Sequence, residues 1–430
     1  MWLVDAGAAY ADESPRRARP DYDGRGNQDA HGGHWALWVP RVLLFPFYVV
    51  NEYVLRRPLG WIVTKGEREH WLDAPIENFK FGPQHDYLLV PTALVDFGLL
   101  PSAGLYFSGQ NMVHADNQVV LNFSTGGVKY LTATALDRYS WDQKRSSVTT
   151  RIDFRREVDL LYMGTGPDVT DRTRSRYGIE YLDSHASYKR YMFGESTLAI
   201  AAGARTVEFR NGDCCHDPTL EDRITAGDLP TPPGYRAPYA PVYQRVEIAL
   251  DSRRSRPAPG TGVYLKLHER VDLDLRSNRR WTGYGGVLGG AIDLDREQRT
   301  LRLQLGVDYT DPIRGEVPFH ELAQLGSDMM PGFIGGWMRG RSTAVAQLAY
   351  TWPVSVWADG QIRLATGNAF DAHLRGFALG KLRGSADVGL TTIDARDSGF
   401  EALAGVGTET FEHGATITSL RLTVGARVGF

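Results

Sequence analysis

The sequence predicts an all-β protein, a transmembrane antiparallel β-barrel of about sixteen strands preceded by an amphipathic helical segment. Apolar and polar residues alternate over most of the chain after residue 86. Several alternating segments are longer than the roughly five or six residues that are common in soluble strands. The chain also ends inside such a segment, on the aromatic residue Phe430. A soluble sandwich alternates as well, so the number and length of the strands favour the barrel.

Bulk composition is compatible with this fold. Hydrophobic residues make up 42% of the 430 residues, and the formal net charge of -3 gives no indication of a nucleic-acid-binding protein. The best apolar run, residues 42–50 (VLLFPFYVV), contains Pro46. This run is far shorter than the roughly 20 residues of a membrane-spanning helix. The sequence therefore does not predict a helical membrane protein.

The first 80 residues divide into two parts. Residues 1–33 contain AYA at positions 9–11, which resembles a signal-peptide cleavage site, and continue as a polar stretch rich in Pro and Gly. We interpret this part as the remnant of a signal and a disordered tether. Residues 34–80 mix large aromatic side chains with arginines, and apolar residues recur at helical spacing between positions 49 and 54. This part is expected to form amphipathic helix at the membrane surface or at the periplasmic mouth of the barrel; the alternative is a helix packed on a soluble domain.

Residues 81–430 carry the predicted barrel. Segments such as RIDFR at residues 151–155 place apolar side chains on one face of an extended chain and charged side chains on the other. Alternation predicts strands near residues 86–97, 103–113, 117–126, 129–141, 146–163, 174–192, 196–211, 238–254, 261–276, 279–294, 299–311, 342–354, 357–370, 380–393, 399–411 and 418–430. The total of about sixteen is even, as in single-chain outer-membrane barrels.

The predicted connections differ in length on the two sides of the barrel. With the amino terminus in the periplasm, most connections on the periplasmic side are short and polar, whereas residues 212–237 and 312–341 form long outward loops. Short inner turns with long outer loops are typical of bacterial outer-membrane barrels. The sequence therefore predicts the outer membrane of a Gram-negative bacterium as the location.

The final residues, SLRLTVGARVGF, alternate without interruption. Their order of polar, glycine, apolar and aromatic residues is similar to the C-terminal sorting signal of outer-membrane barrels. The residues that carry this similarity are Thr423, Gly425, Val428 and Phe430. An aromatic carboxy terminus inside the last strand is expected when that strand closes the barrel.

The closing strand should pair with the first strand, near residues 86–97. Pro91 interrupts that first strand and removes one hydrogen-bond donor from its ladder. Gly425 and Gly429 give the closing strand little side-chain packing on the same seam. We therefore predict that this seam is the weakest strand pairing in the wall.

The second long loop and the strands after it resemble a known family. Residues 319–342 (FHELAQLGSDMMPGFIGGWMRGRS) precede strands that contain AVAQLAYTWPV and IRLATGNAF. From about residue 80 to its end, the chain resembles the bacterial surface antigen superfamily, which includes BamA and TamA. The resemblance implies a sixteen-stranded barrel in which loop 312–341 folds into the lumen. It also implies a role in moving or assembling proteins or lipids, with a lateral opening at the seam. Residues 1–80 show no POTRA pattern, so the chain resembles the subgroup without those amino-terminal modules.

A glycine-rich motif in this loop stands in family order. Its residues are Gly335, Gly336, Arg339 and Gly340. The chain departs from the family at Arg341, where an aromatic residue is usual, and at Ala365, where an acidic residue is frequent. A partly buried arginine is costly without a carboxylate, so we predict that Asp387 pairs with Arg339. Arginine rarely acts as an acid or base, which makes Arg339 a structural lock rather than a catalyst.

Two groups of polar residues could be sites. Cys214, Cys215 and His216 are metal-ligand types, but adjacent residues seldom point at one ion, so a vicinal or interchain disulfide is favoured. Inward charges between residues 245 and 274 could line a permeation path, although salt-bridge ladders in a plugged lumen are favoured. The sequence has no G-x-S-x-G, H-E-x-x-H or phosphate-binding glycine loop. We therefore expect neither an enzyme nor a cofactor.

The function predicted from these residues and from the resemblance is the assembly, insertion or translocation of proteins or lipids at the outer membrane. A passive porin and a purely structural barrel are the alternatives. The expected partners are outer-membrane lipid or lipopolysaccharide, the assembly machinery that inserts the barrel itself, and a client protein or lipid that the sequence does not identify. No nucleic-acid partner is expected, and a homo-oligomer stays open.

Overall fold

The computed structural model describes residues 61, 65, 79–253, 261–294, 299–354, 358–392 and 398–428. The predictions for residues 1–33, and for nearly all of the amphipathic segment 34–80, lie outside the described residues. Within the described ranges, no helix is long and apolar enough to cross a membrane.

Sixteen antiparallel strands form a closed barrel in which each strand pairs with its sequence neighbours and the last pairs with the first. The strands are β1 (Tyr87–Asp96), β2 (Ser102–Gln110), β3 (Asn117–Thr125), β4 (Leu131–Trp141), β5 (Ser146–Tyr162), β6 (Ser175–Tyr191), β7 (Thr197–Asn211), β8 (Pro241–Asp251), β9 (Gly262–Asp274), β10 (Arg280–Asp293), β11 (Thr300–Arg314), β12 (Ser342–Pro353), β13 (Ala358–Phe370), β14 (Arg383–Thr392), β15 (Ser398–Thr410) and β16 (Ile417–Val428). The sixteen-stranded barrel predicted from the sequence is therefore confirmed. The bounds agree closely: β14, for example, begins at residue 383 where 380 was predicted.

The wall has an apolar exterior and a polar lumen. In β11, Leu303, Leu305 and Val307 point outward and are exposed, whereas Gln304 and Gly306 between them are more buried. The same alternation runs around the barrel, because successive residues of a strand point to opposite faces. An outward apolar band with paired backbone groups is the arrangement that hydrocarbon requires of a spanning sheet.

The two ends of the barrel differ. The long connections, residues 212–240 and 315–341, lie at one end, called here the loop end. The first of them carries the short helix α1 (Leu220–Thr225), whose amino terminus is capped reciprocally by Thr219 and Asp222. The chain enters β1 at the opposite end, called here the turn end, where short connections such as residues 111–116 and 142–145 lie.

The loop between β11 and β12 folds into the lumen, as predicted. It contains a 3-10 turn at Phe319–Glu321 and a hairpin of two short strands, Ala323–Leu325 and Met338–Gly340. Its apolar side chains pack against wall residues in a buried cluster: Leu161, Met163, Val169, Leu325, Met330, Phe333, Ile334, Trp337, Met338, Val345, Ala365 and Ala369. A second cluster joins Phe319 to Tyr162, Tyr177, Tyr239 and Trp281. The loop therefore fills the lumen towards the loop end with a packed core.

Replacing Leu305 with Lys should destabilise the barrel by about 2–4 kcal/mol, because an ammonium group near the bilayer midplane loses its hydration. Replacing the adjacent Gln304 with Lys is the matched control, since this side chain points into the lumen. The free energy of unfolding in lipid vesicles measures both changes. Equal losses for the two variants would contradict the assignment of the exterior face.

Candidate functional site: the inward-folded loop and the strand seam

Arg339 anchors the inward-folded loop from within a cage of aromatic and neutral groups. Its side chain is 2% exposed. Nη1 donates to the carbonyl oxygen of Phe319 at 2.8 Å, and Nη2 donates to the Tyr177 hydroxyl at 3.2 Å and to Oε1 of Gln324 at 3.0 Å. The guanidinium carbon lies 5.6 Å from the ring centre of Phe319 and 6.0 Å from that of Tyr177. Ring faces and neutral oxygens thus hold this cation.

The predicted ion pair between Arg339 and Asp387 is wrong. The carboxylate of Asp387 accepts two hydrogen bonds from Nε of Arg363, at 2.9 and 3.1 Å. Arg363 in β13 and Asp387 in β14 are direct register partners on the lumen side of the wall. A neighbouring strand therefore supplies the partner of Asp387, and the loop arginine is held elsewhere.

A carboxylate on the loop provides a second anchor. Glu321 accepts hydrogen bonds from Arg205 at 2.9 Å, from Arg270 at 2.7 Å and from the Tyr239 hydroxyl at 2.6 Å. Arg205 also pairs with the fully buried Asp272 at 2.6 Å. Burial raises the pKa of Glu321, but Arg205 and Arg270 outweigh burial and lower this pKa to about 2. In this anchor the carboxylate is on the loop and the arginines are on the wall. The predicted pair had the arginine on the loop and the carboxylate on the wall.

Sequence reasoning missed Glu321. The available signal was the position of the HE dipeptide inside a loop that must enter a charged lumen, next to the aromatic Phe319. Burying one carboxylate there requires cations on the facing wall. Arg270 belongs to the inward charges between residues 245 and 274, but spacing does not identify its partner.

His320 lies between these two anchors. Its Nδ1 is 2.9 Å from the Tyr177 hydroxyl. Burial, assisted by the positive charge of Arg339, lowers the pKa of His320 to about 3, so the imidazole is neutral at physiological pH. Protonation of His320 would place a second cation in the cage beside Arg339.

The tip of the loop rests on a glycine-lined part of the wall. The N–H of Gly332 donates to the Ser385 hydroxyl at 2.9 Å. A Cβ atom at Gly332 would lie 2.1 Å from the carbonyl oxygen of Val406, and a Cβ atom at Gly407 would lie 2.5 Å from the ring of Phe333. Both positions therefore require glycine, because a side chain would separate the loop tip from β15. The contact places the tip beside the closing strand β16.

The other motif glycines serve the turns of the loop. Gly336 has a φ of +81°, in the left-handed region that favours glycine. A Cβ atom at Gly340 would lie 2.4 Å from the carbonyl oxygen of Phe370, which brings the loop hairpin against β13. A Cβ atom at Gly335 would have more room, with the Ser327 hydroxyl at 3.2 Å.

The seam between β16 and β1 is the shortest ladder among the described strands of the wall. Two register pairs join the strands, Thr423 with Asp96 and Val424 with Val95. Each other neighbouring pair of barrel strands has at least eight. Gly425 lies next to Leu94 of β1, at a place where a Cβ atom would come within 2.3 Å of the Leu94 side chain. Val428 ends β16, and Gly429 and Phe430 lie outside the described residues.

Pro91 lies on the seam edge of β1. The N–H groups of Leu89 and Phe97 point to this edge, because they donate to Phe79 and Leu422 respectively, each at 3.0 Å. Alternate residues of an antiparallel strand face the same edge, so Pro91 faces the seam as well. Its missing N–H therefore weakens the seam and leaves the ladder with β2 intact.

Arg421 joins the seam to the loop. In β16, its Nε and Nη2 donate to the Asp96 carboxylate of β1 at 3.0 and 2.5 Å. Its Nη1 donates to the carbonyl oxygens of Phe333 at 3.0 Å and Pro331 at 3.5 Å. One buried guanidinium thus connects both strands of the seam and the loop tip. In the sequence, Arg421 is one of the polar residues of the alternating final segment, and nothing in that pattern identifies its partners.

Two groups of residues with metal-ligand chemistry already have local partners. Cys214 and Cys215 form a vicinal disulfide, so these sulfurs are not free thiolates beside His216. In the lumen, Asp153 and Asp183 approach His185 closely enough to share an ion. However, Arg151 already donates to Asp153 at 2.6 and 2.8 Å, and His185 and Tyr243 bind Asp183.

Several of the inward charges between residues 245 and 274 form ion pairs along the wall. Lys266 pairs with Glu247 at 3.0 Å, and Arg270 pairs with Asp272 at 2.7 Å. His268 lies 3.2 Å from Asp308. The first pair joins the adjacent strands β8 and β9, the second lies within β9, and the third contact reaches from β9 past β10 to β11.

These features define a transmembrane β-barrel of the outer-membrane type whose lumen is occupied by its own loop. No protein-family model and no curated protein matches the chain by sequence. Its fold is similar to that of BamA from Haemophilus ducreyi lacking POTRA domains 1-3, at 14% identity and a TM-score of 0.56 over 80% of this chain and 70% of that one. The likeness shows a shared barrel fold.

Two further solved structures were compared. CdiB from Acinetobacter baumannii matches with 10% identity and a TM-score of 0.49, over 80% of this chain and 60% of that one. FauA, the alcaligin outer-membrane receptor of Bordetella pertussis, matches with 10% identity and a TM-score of 0.34, over 79% and 56% of the two chains.

Replacing Arg339 with Ala should destabilise loop docking by about 2–4 kcal/mol, because three buried acceptors lose their donor. Replacing Arg341 with Ala is the matched control, since this side chain is about one-third exposed and pairs with Asp311 near the barrel rim. Its loss should cost less than about 1 kcal/mol. Limited proteolysis of loop 312–341 measures both variants. Equal protease resistance of Arg339→Ala and the unmodified barrel would contradict the cage.

Loop docking should weaken as the pH falls below 6.5. The unfolded chain binds a proton at His320 between pH 6.5 and about 3, whereas the docked loop does not, so stability falls with pH in this window. Glu321 contributes below pH 4.5, where its docked form resists protonation. Melting at about pH 7.5 and about pH 5 therefore leaves out the contribution of Glu321, and a variant is needed to identify that of His320. The variant His320→Asn should show a smaller decrease than the unmodified protein, and an unchanged decrease would refute this role of His320.

Proposed function

We propose that the protein assembles, inserts or translocates proteins or lipids at the outer membrane, using the β16–β1 seam as its lateral opening. The observation that carries this proposal is the seam itself: two register pairs join the strands, and Arg421 links them to the loop tip. The amino terminus is then periplasmic, because the long loops lie at the opposite end of the barrel.

Energetics favours the seam as the place where the wall opens. A backbone group that loses its partner in hydrocarbon costs several kcal/mol, so opening a ladder of eight or more pairs is prohibitive. The seam has few pairs to break, and Pro91 has no N–H to leave unpaired. An extended segment of a client could pair with the freed edges, and a lipid could pass between them.

The filled lumen argues against a passive porin. Phe333, Trp337 and Met338 of the loop are buried in a core with residues of the wall, where a porin would have water. The proposed partners are outer-membrane lipid or lipopolysaccharide around the wall, the assembly machinery that inserts this barrel, and a client protein or lipid at the seam.

A disulfide between Val95→Cys and Val424→Cys should abolish the function by locking the seam. These residues are direct register partners, and neither belongs to the Arg421 contact. A photoreactive group at Leu422, next to the seam, should capture the client in native membranes, and oxidation should remove that product. Reduction should restore it.

A disulfide between Leu105→Cys and Phe123→Cys, which pair across β2 and β3, is the matched control and should leave capture unchanged. Capture that persists after the seam is locked would overturn the lateral opening. Conductance in planar bilayers distinguishes the lateral opening from a passive porin. A steady, large current that the disulfide between positions 95 and 424 leaves unaltered would indicate a porin. If no client is captured and no current is observed, the protein is a structural barrel.

A further inference from the structure

One part of the lumen wall is apolar. Leu88, Ser108, Val120 and Leu136 are direct register partners in a row across β1 to β4. Val90 and Tyr106 pair with each other in the adjoining row. The five apolar residues of these rows form the luminal apolar patch: Leu88, Val90, Tyr106, Val120 and Leu136.

The luminal apolar patch ends where charges begin. The next residue along the first row is Arg151 of β5, which pairs with Leu136 in register and binds Asp153. On the opposite wall, inward positions of β9 carry Lys266 and Arg270. Charged neighbours attract water, and an apolar patch beside them is unfavourable unless an apolar partner covers it.

Leu88, Tyr106, Val120 and Leu136 are nevertheless buried, with exposures of 1, 0, 6 and 9%. Within the described ranges, the cluster that they form consists of wall residues alone. The inward-folded loop packs in separate clusters towards the loop end. The patch therefore fits an apolar occupant other than that loop.

The chain itself enters the barrel beside this patch. Lys80 and Phe81 form a two-residue strand on the seam edge of β1, paired with Leu88 and Tyr87. A turn with positive φ at Gly82 and His85 reverses the chain between them. The continuous described chain therefore starts, at position 79, at the level of Leu88, which is itself a member of the patch.

The sequence before this point contains a suitable partner. Residues 34–57, HWALWVPRVLLFPFYVVNEYVLRR, are dominated by aromatic and aliphatic side chains. About 20 residues separate this segment from position 79, and an extended chain of that length spans up to roughly 70 Å, far more than the lumen requires. Covalent connection also gives the segment a high effective concentration at the patch.

We propose that residues 34–57 of this chain dock inside the lumen on the luminal apolar patch. The segment then fills the part of the lumen near the turn end, as the inward-folded loop fills the part near the loop end. Its apolar face covers strands β1 to β4, next to the seam. This inference does not depend on the proposed function.

Photocrosslinking in the full-length protein tests the proposal. The photoreactive residue p-benzoylphenylalanine replaces Tyr106 in the patch, and mass spectrometry identifies the peptides to which it attaches. The expected product joins position 106 to residues 34–57 of the same chain, and it is lost when residues 34–57 are deleted. Resistance of the folded barrel to unfolding in dodecyl sulfate on a gel verifies that each variant is intact.

Two further probe positions serve as controls. A probe at Leu105, the adjacent residue on the lipid side, should attach to lipid or detergent. A probe at Gln347, whose side chain donates to the loop carbonyl groups of Asp328 and Met329, should attach to the loop. If the Gln347 probe reacts and the Tyr106 probe attaches to the loop, to a second copy, to lipid or to nothing, the proposal is overturned.

Discussion

The structure depends on one constraint: in hydrocarbon, a backbone N–H or C=O group without a partner is too costly to tolerate. Closure of sixteen strands satisfies this constraint around the wall, and ladders of at least eight pairs leave few places where the wall can yield. The seam is the exception. With two register pairs and a proline on its edge, it is the weakest pairing among the described strands of the wall.

The chain compensates for this weakness with side chains. Arg421 and Asp96 form a bidentate ion pair across the seam, in a buried position where such a pair is costly to break. The same guanidinium holds the carbonyl groups of the loop tip, and glycines in β15 let that tip approach the wall. Arg421 therefore joins the seam directly to the loop tip. A lateral opening would have to release Phe333 or carry it along.

The inward-folded loop shows how a buried charge can be held in more than one way. Arg339 has neutral oxygens and two aromatic faces around it, while Glu321 has two arginines and a tyrosine. The neutral His320 between them avoids a third charge. Such an arrangement fixes the loop without the carboxylate partner that a buried arginine usually needs.

The sequence by itself determined the wall. Side chains of a strand alternate with a period of two residues, and this pattern can be recognised in the sequence of each strand. The sixteen strands, the apolar exterior and the two long loops could therefore be predicted with bounds close to those observed. It also indicated the weak seam, because the terminal strand and Pro91 are local features. The partners within the site were decided by the tertiary structure. Arg363 pairs with Asp387, Glu321 binds Arg205 and Arg270, and Arg421 donates a hydrogen bond to Phe333. Strand register and the path of the loop bring these residues together, although they are far apart in the chain.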